Sequence, residues 1–330
     1  MLTIGNIPLK NKVILAPMSG ISDLPFRRVA LQYGVGLVVS EMVASESLCS
    51  SHPEALMRAD GEGIDTHIVQ LAGRETRWMS KGASMAEQAG ADVIDINMGC
   101  PAKKVTSGYS GSALMKNLDH AMTLVEVALD AVSVPVTLKM RLGWDESSIN
   151  APELAKRAVD AGVKMITVHG RTRSQFYKGK ADWRAIRQVR DVIDVPLVAN
   201  GDCCTFEDAD EMLAQSGADL VMVGRGSYGR PWMPGHIAHY LETGEKRPDP
   251  HGEELADLVV GHYDAMVEHY GFEIGVRSFR KHIGWYLEAN GSLADAPQGF
   301  MRGLMTSLDK DHVRGALHDW FIKIPMRSAA

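Results

Sequence analysis

With 330 residues, 45% of them hydrophobic, the chain has enough apolar material for one large domain and a smaller one, and its formal net charge of -6 at pH 7 excludes an indiscriminate nucleic-acid binder, so any RNA contact must come from a local basic patch. Its four cysteines, Cys49, Cys100, Cys203 and Cys204, have neither zinc-site spacing nor the pattern of a disulfide framework, and the expectation is a reducing, cytoplasmic setting without a metal. Met1 to Lys12 is not a basic-then-apolar leader and no apolar run is long enough to span a bilayer, so a soluble, non-exported protein is expected.

In chain order, short apolar and mostly β-branched runs recur at Val13 to Ala16, Leu37 to Ser40, His67 to Leu71, Val93 to Asn97, Val136 to Met140, Met165 to His169, Pro196 to Asn200 and Leu220 to Gly224. Helical periodicity fills the gaps, over Thr76 to Gln88, Leu118 to Ala131, Ala151 to Ala161, Trp183 to Val192 and Thr205 to Gln215. Three near-copies, Ala89-Gly90-Ala91-Asp92, Ala161-Gly162-Val163 and Ser216-Gly217-Ala218-Asp219, read as helix C-caps that feed the next strand. Eight strand–loop–helix units predict an α/β fold of the (β/α)8 TIM-barrel type over residues 1–243. A doubly wound open sheet is the rival, but it would more often have fewer strands and a Gly-x-Gly-x-x-Gly turn, where this chain has Ala16-Pro17-Met18-Ser19-Gly20.

Loops at the carboxyl ends of barrel strands build active sites, so the residues just past each run are the candidates. They are Pro17 and Met18, Glu41, Gln70, Asn97 with Cys100, Lys139 with Arg141, His169 with Arg171, Asn200 with Asp202, and Gly224 with Arg225. Any one of them could be a satisfied barrel polar residue; a full set at every end points to a site. At the seventh and eighth ends, Asn200-Gly201-Asp202 and Gly224-Arg225-Gly226-Ser227 combine bare backbone with a cation, the composition of a phosphate site. Cys100 ends the run Asp92 to Ile96 in a loop bounded by Gly99 and Pro101. Lys103 and Lys104 would draw its pKa toward thiolate and apolar burial would raise it, and the sequence leaves open both which wins and whether the thiol is only a small buried hydrophobe.

After Pro231-Trp232 the strand pattern stops, and Gly244 to Pro250 reads as a polar, proline-containing linker. Apolar positions then recur at helical spacing in Leu255 to His269, Val276 to Leu287, Gly299 to Met305 and Val313 to Phe321, which predicts a small all-α bundle over residues 244–330. Along Val276 to Tyr286, Arg277, Arg280, Lys281, His282, Trp285 and Tyr286 interleave cations with aromatics, either to contact phosphates and stack on bases or as a solvated face with two core aromatics.

Taken together these residues resemble the flavin-dependent tRNA-dihydrouridine synthases, most closely the bacterial B-type branch, over nearly the whole chain. The resemblance rests on Ala16-Pro17-Met18, on Asn97-Met98-Gly99-Cys100-Pro101-Ala102-Lys103-Lys104-Val105, on Lys139-Met140-Arg141 and on His169-Gly170-Arg171-Thr172-Arg173. Further matches are Ala199-Asn200-Gly201-Asp202, Gly224-Arg225 and Gly229-Arg230-Pro231-Trp232. It implies FMN at the barrel mouth, with Pro17, Met18 and Gln70 around the ring, Lys139 and His169 as polar partners, and Asn200, Gly201, Asp202, Gly224 and Arg225 at the ribityl and phosphate positions. It also implies that NADPH, or NADH, reduces the flavin, that hydride passes to C6 of a tRNA uracil in the D-loop, and that Cys100 protonates C5 as a general acid. Asn97 would hold the uracil edge, while Arg141, Arg171 and Arg173 with Lys103, Lys104, Lys178 and Lys180 at the rim, and Arg277, Arg280, Lys281 and Trp285 on the bundle, would contact tRNA. A monomer is expected. Two alternatives remain open: an FMN barrel acting on a free pyrimidine, of the dihydroorotate-dehydrogenase type, and an RNA-binding or regulatory protein without turnover.

Overall fold

A computed structural model describes residues 2–294 and 296–324. Among the described residues eleven strands form: β1 (Thr3–Ile4), β2 (Ile7–Pro8), β3 (Val13–Leu15), β4 (Leu37–Val38), β5 (Val43–Ala44), β6 (Ile68–Ala72), β7 (Val93–Met98), β8 (Val136–Arg141), β9 (Ile166–His169), β10 (Leu197–Asn200) and β11 (Leu220–Val223). β3 to β11 make one parallel sheet in the order β4-β3-β11-β10-β9-β8-β7-β6-β5. Its two ends belong to the single segment from Leu37 to Ala44, and the parallel bridge Val39↔Ile68 together with the bond from Ser40 N to the Ile68 carbonyl (3.0 Å) brings them together. The eight expected strands are therefore present in a curled, barrel-like sheet, with the second one broken at Ser40-Glu41-Met42. The unforeseen element is the antiparallel β1–β2 hairpin, whose Ile4 packs with Ile14, Val93, Val198 and Leu220 to fill the barrel's interior at its amino-terminal end.

Helices sheathe the sheet, and three of the expected ones, Thr76–Gln88, Leu118–Ala131 and Ala151–Ala161, have the expected bounds. Gly217 ends helix Phe206–Ser216 at φ 65, a conformation that suits glycine, as the repeated cap motif required. Val13, Leu15, Val69, Leu71, Ile94 and Ile96 face outward into these helices, because a strand's period of two sends their neighbours to the barrel interior.

After the coil at 244–251, helices Gly252–Tyr270, Phe272–Ala289, Gln298–Thr306 and Lys310–Phe321 follow. They enclose a separate apolar cluster, with Val259, Tyr263, Phe279, Ile283, Tyr286, Leu317 and Phe321 buried in it. Trp232 joins that cluster from the barrel side and donates its Nε1 hydrogen to Asp249 Oδ1 (2.7 Å), which ties the linker down. Among the described residues no helix is long and apolar enough to cross a membrane.

Candidate active site

The carboxyl ends of the strands surround a cavity of about 510 Å³. All ten residues expected to meet a flavin line it: Pro17, Met18, Gln70, Lys139, His169, Asn200, Gly201, Asp202, Gly224 and Arg225. So do Asn97, Cys100 and Arg141. Strand register accounts for the convergence. Gln70 pairs with Asp95, Asn97 with Lys139, Arg141 with His169, and His169 with Asn200, so each side chain stands at nearly the same height as its neighbour's.

Below the floor lies a chain of buried hydrogen bonds. Thr137 Oγ1 donates to Asp95 Oδ1 (2.6 Å), Gln70 Nε2 to Asp95 Oδ2 (2.7 Å), and Asn97 Nδ2 to Gln70 Oε1 (2.7 Å). Asn97 Oδ1 in turn accepts from the backbone N–H groups of Gly99 (3.1 Å) and Cys100 (3.0 Å), an Asx turn that ends β7 and sets the cysteine loop. Asn97 was expected to hold a uracil edge, but its carbonyl oxygen already has two donors, so it acts first as the residue that shapes the loop. The far side of the loop is held by Arg141, whose Nε donates to the Gly99 carbonyl (2.9 Å), and by Ser112, whose Oγ donates to the Cys100 carbonyl (2.8 Å). A Cβ at Gly111, which has φ +59, would come within 2.9 Å of that same carbonyl oxygen, so glycine alone lets the following segment pack this closely.

Burial dominates the electrostatics of Cys100 and raises its pKa above the ordinary thiol value, while a backbone bond from Ala102 and the charges of Arg141 and Lys139 pull it down less. The expected cationic neighbours, Lys103 and Lys104, are exposed on a single helical turn and are not the charges that act on the thiol. Lys139, half-buried in the cavity wall, is lowered to about 8 by desolvation, partly offset by Asp95, and its Nζ donates to Asn200 Oδ1 (3.0 Å). His169 is driven well below its ordinary value by burial and by four surrounding cations, so it is neutral at pH 7. Arg171 Nη1 lies 3.3 Å from His169 Nε2, and because an arginine only donates, that nitrogen accepts and the proton sits on Nδ1.

Two expected rim cations are not on the rim. Arg171 is 1% exposed, donates to the Lys178 and Gly179 carbonyls, and pairs with Asp202 (2.5 Å), so it folds the loop after β9 and is not available to RNA. Arg173 is half-buried with its guanidinium over the rings of Trp144 (4.5 Å) and Phe176 (4.6 Å). Arg225 pairs with Asp202 as well (2.7 Å), so that carboxylate, held below its ordinary pKa despite partial burial, organises both arginines.

The mixed face on the second bundle helix divides three ways. Arg277 is exposed, and Arg280 half-buried. His282 and Tyr286 belong to the core: they are 1% and 0% exposed and pack with His262 and Phe279. Lys281 and Trp285 lie against barrel loops: Lys281 Nζ donates to the Gly20 carbonyl and the Trp285 ring stacks on Tyr228 at 4.3 Å. Tyr177 and Tyr228, also in the cavity wall, were not foreseen; the glycines around Tyr228 are the one signal that a residue there is pinned at a turn.

A family profile described as Dihydrouridine synthase (Dus) matches residues 14–306. The chain is 54% identical over 94% of its length to a protein named "Probable tRNA-dihydrouridine synthase" of Rhizobium leguminosarum bv. phaseoli, covering 95% of that relative. It is 42% identical over 90% of its length to "tRNA-dihydrouridine synthase B" of Vibrio vulnificus (strain CMCP6), covering 92% of it. Among solved structures, histamine dehydrogenase from Rhizobium sp. 4-9 superposes with a TM-score of 0.57 at 14% identity, over 80% of this chain and 50% of that one. A 2-naphthoyl-CoA reductase complex does so with a TM-score of 0.58 at 15% identity, over 74% and 52%. This chain thus spans about half of those two structures, and that likeness is one of fold. The chain belongs to the dihydrouridine synthase family, flavin-dependent oxidoreductases that reduce uridine in tRNA to dihydrouridine.

Proposed function

We propose that the cavity holds FMN, that NADPH or NADH is the reductant, and that Cys100 is the acid that protonates C5 of a D-loop uracil. The chain's residues fit such a cofactor. Pro17 and Met18 offer an apolar shelf, Lys139 a half-buried amine, and neutral His169 an N–H donor. Gly201 and Gly224 present backbone without side chains beside the Arg225 guanidinium, the composition that suits a phosphate. When bound, the flavin supplies hydride to C6 of the uracil.

The chain's own share is to deliver the proton, hold the base and keep water out. Cys100 is suited to the first because its pKa is raised, so the thiol is protonated at neutral pH, as a general acid must be. Neutral His169 has no spare proton to compete with it. Arg141 lines the cavity beside the thiol and favours negative charge developing on a uracil oxygen. A uracil stacked within tRNA must be turned out to enter, and exposed Lys103, Lys104 and Arg277, with half-buried Arg280, are the cations placed to grip the backbone while it does. Substrate and free thiols both suit a cytoplasmic enzyme, acting as a monomer.

The observation that carries this reading is the half-buried Cys100 thiol in the same cavity wall as the ten residues expected to meet the flavin. Nucleoside analysis of tRNA from cells lacking the protein tests it: one dihydrouridine position should revert to uridine, and unchanged tRNA would refute it. The free-pyrimidine alternative predicts the second outcome, and a regulatory protein without turnover would show no flavin bleached by NADPH.

A further inference from the structure

The geometry points to a second job for the helical bundle: Lys281 and Trp285 are positioning residues that hold the two loops walling the cavity at the ends of β3 and β11. This rests on the reading that flavin occupies the cavity. β3 and β11 are neighbours in the sheet, with Ile14 opposite Met222 and Leu15 opposite Val223, so the loops that follow them lie side by side. The first, Met18 to Ser22, is a tight turn closed by Ile21 N and Ser22 N donating to the Met18 carbonyl (2.9 Å each). Met18 N donates to Ser22 Oγ (2.7 Å), so the cavity-lining Met18 moves only if the turn does.

Both polar groups of Gly20, at the tip of this turn, are held by charged side chains. Its N–H donates to Glu41 Oε1 from the barrel and its carbonyl accepts from Lys281 Nζ of the bundle. Glu41 is 2% exposed, so the clamp is shielded from water on the barrel side. One helical turn beyond Lys281, on the same face, Trp285 stacks on Tyr228 with rings 23° from parallel, and Tyr228 lines the cavity. At Gly229 the loop meets the helix backbone itself: a Cβ there would fall 2.0 Å from the Trp285 carbonyl oxygen. A third tie is the Tyr270 hydroxyl donating to Asp23 Oδ2 (3.1 Å), at the cap of the helix that follows the first loop.

A cation placed only to meet tRNA would not need a carbonyl of the catalytic domain as its partner. The consequence is that the bundle acts on the flavin site even when no RNA is bound. The test compares full-length wild type with Lys281→Met, which keeps the stem and removes the donor, and with Lys281→Arg, which restores a donor. Titration of flavin-free protein with FMN, without tRNA, should give roughly tenfold weaker binding and a shifted visible spectrum for Lys281→Met, as expected for loss of a charge-assisted bond that orders a wall, with recovery in Lys281→Arg. Its tRNA affinity should keep the wild-type salt slope. Wild-type flavin binding and spectrum in Lys281→Met would overturn the inference, and a salt slope smaller by about one would make Lys281 a phosphate contact instead. Should Lys281→Met fail to fold, Trp285→Phe carries the same test at the Tyr228 loop. If wild type itself takes up no FMN, it is the flavin reading that fails, which separates the two outcomes.

Discussion

The barrel mouth and the helical bundle handle their polar side chains in opposite ways. On a strand the period of two decides direction, so Asp95 and Asn97 on β7, Thr137, Lys139 and Arg141 on β8, and His169 on β9 all turn into the barrel, stacked in successive layers: Asp95 beside Thr137, Asn97 beside Lys139 and Arg141 beside His169. On helix Phe272–Ala289 the period separates faces but does not say what each face meets. Arg277 goes to solvent, Lys281 and Trp285 to barrel loops, and Phe279, His282 and Tyr286 to the core, within three turns of one another. A strand end in a barrel has one destination. A helix face acquires its partner from a tertiary contact, here between Lys281 and Gly20, 261 residues apart in sequence.

The comparison breaks most visibly at Cys100 if the convergence at the mouth is only packing. Cys100→Ala should leave flavin binding and its reduction by NADPH intact while uracil reduction falls by about 100- to 10,000-fold, the usual cost of losing a positioned acid. Single-turnover oxidation of prereduced enzyme by tRNA, followed at the flavin absorbance, measures it. Cys49→Ala is the matched control: its thiol lies against the Trp78 carbonyl and does not line the cavity, so that substitution should leave the reoxidation rate unchanged. Near-wild-type reoxidation by Cys100→Ala would return the thiol to a structural role.

Arg225→Ala comes next. A charge-assisted contact to phosphate is worth about 1.5 to 3 kcal/mol, and because Arg225 is already paired with Asp202, the lower end applies, about a tenfold loss of flavin affinity. Equilibrium titration of flavin-free protein reads this directly, and equal affinity in the two proteins would move the phosphate elsewhere.

How far the sequence disclosed this site follows from the same contrast. Eight apolar runs of strand length, seven of them with a polar residue at the carboxyl end, were enough to bring Gln70, Lys139, His169 and Asn200 to one cavity, because barrel closure leaves them no other place. Arg171 was legible as a strand-end cation but not as a buried one: its partner Asp202 comes from another loop, and only the fold pairs them. The balance at Cys100 was likewise hidden, since sequence shows adjacent lysines but not that they point away. Glu41 stood at a strand end, yet its bond to Gly20 depends on the break between β4 and β5 that no periodicity announces.

The exposed lysines of the cysteine loop sharpen the comparison from the RNA side. Lys103→Ala with Lys104→Ala should weaken tRNA binding and flatten the dependence of log affinity on log salt by about one for each phosphate that is no longer neutralised. Flavin affinity should stay as it was, because neither residue lines the cavity. A wild-type salt slope in the double variant would leave the bundle as the main RNA platform.

The smallest expected effect is a pH step that separates two groups within the mouth itself. Lys139 has a pKa lowered to about 8, so it is charged below that pH and neutral above it, and whatever its charge contributes to holding FMN is present at pH 7 and lost as pH rises toward 9. Exchanging a charge-assisted hydrogen bond for a neutral one costs about 1 kcal/mol, so the dissociation constant for FMN should rise by about fivefold over that interval. The phosphate adds no step there, since its second pKa, about 6, lies below that interval. Cys100 moves in the other direction: with its pKa raised above the ordinary thiol value, it loses its proton at higher pH than Lys139 does, and the single-turnover rate at saturating flavin should hold level through pH 8, where flavin affinity already falls. Lys139→Met should remove the affinity step and leave the rate profile's shape unchanged. If both profiles bend together near pH 8, or if the step survives in Lys139→Met, the half-buried lysine is not the group that titrates, and the cation that meets the flavin must be sought at Arg141, which stays charged over that range.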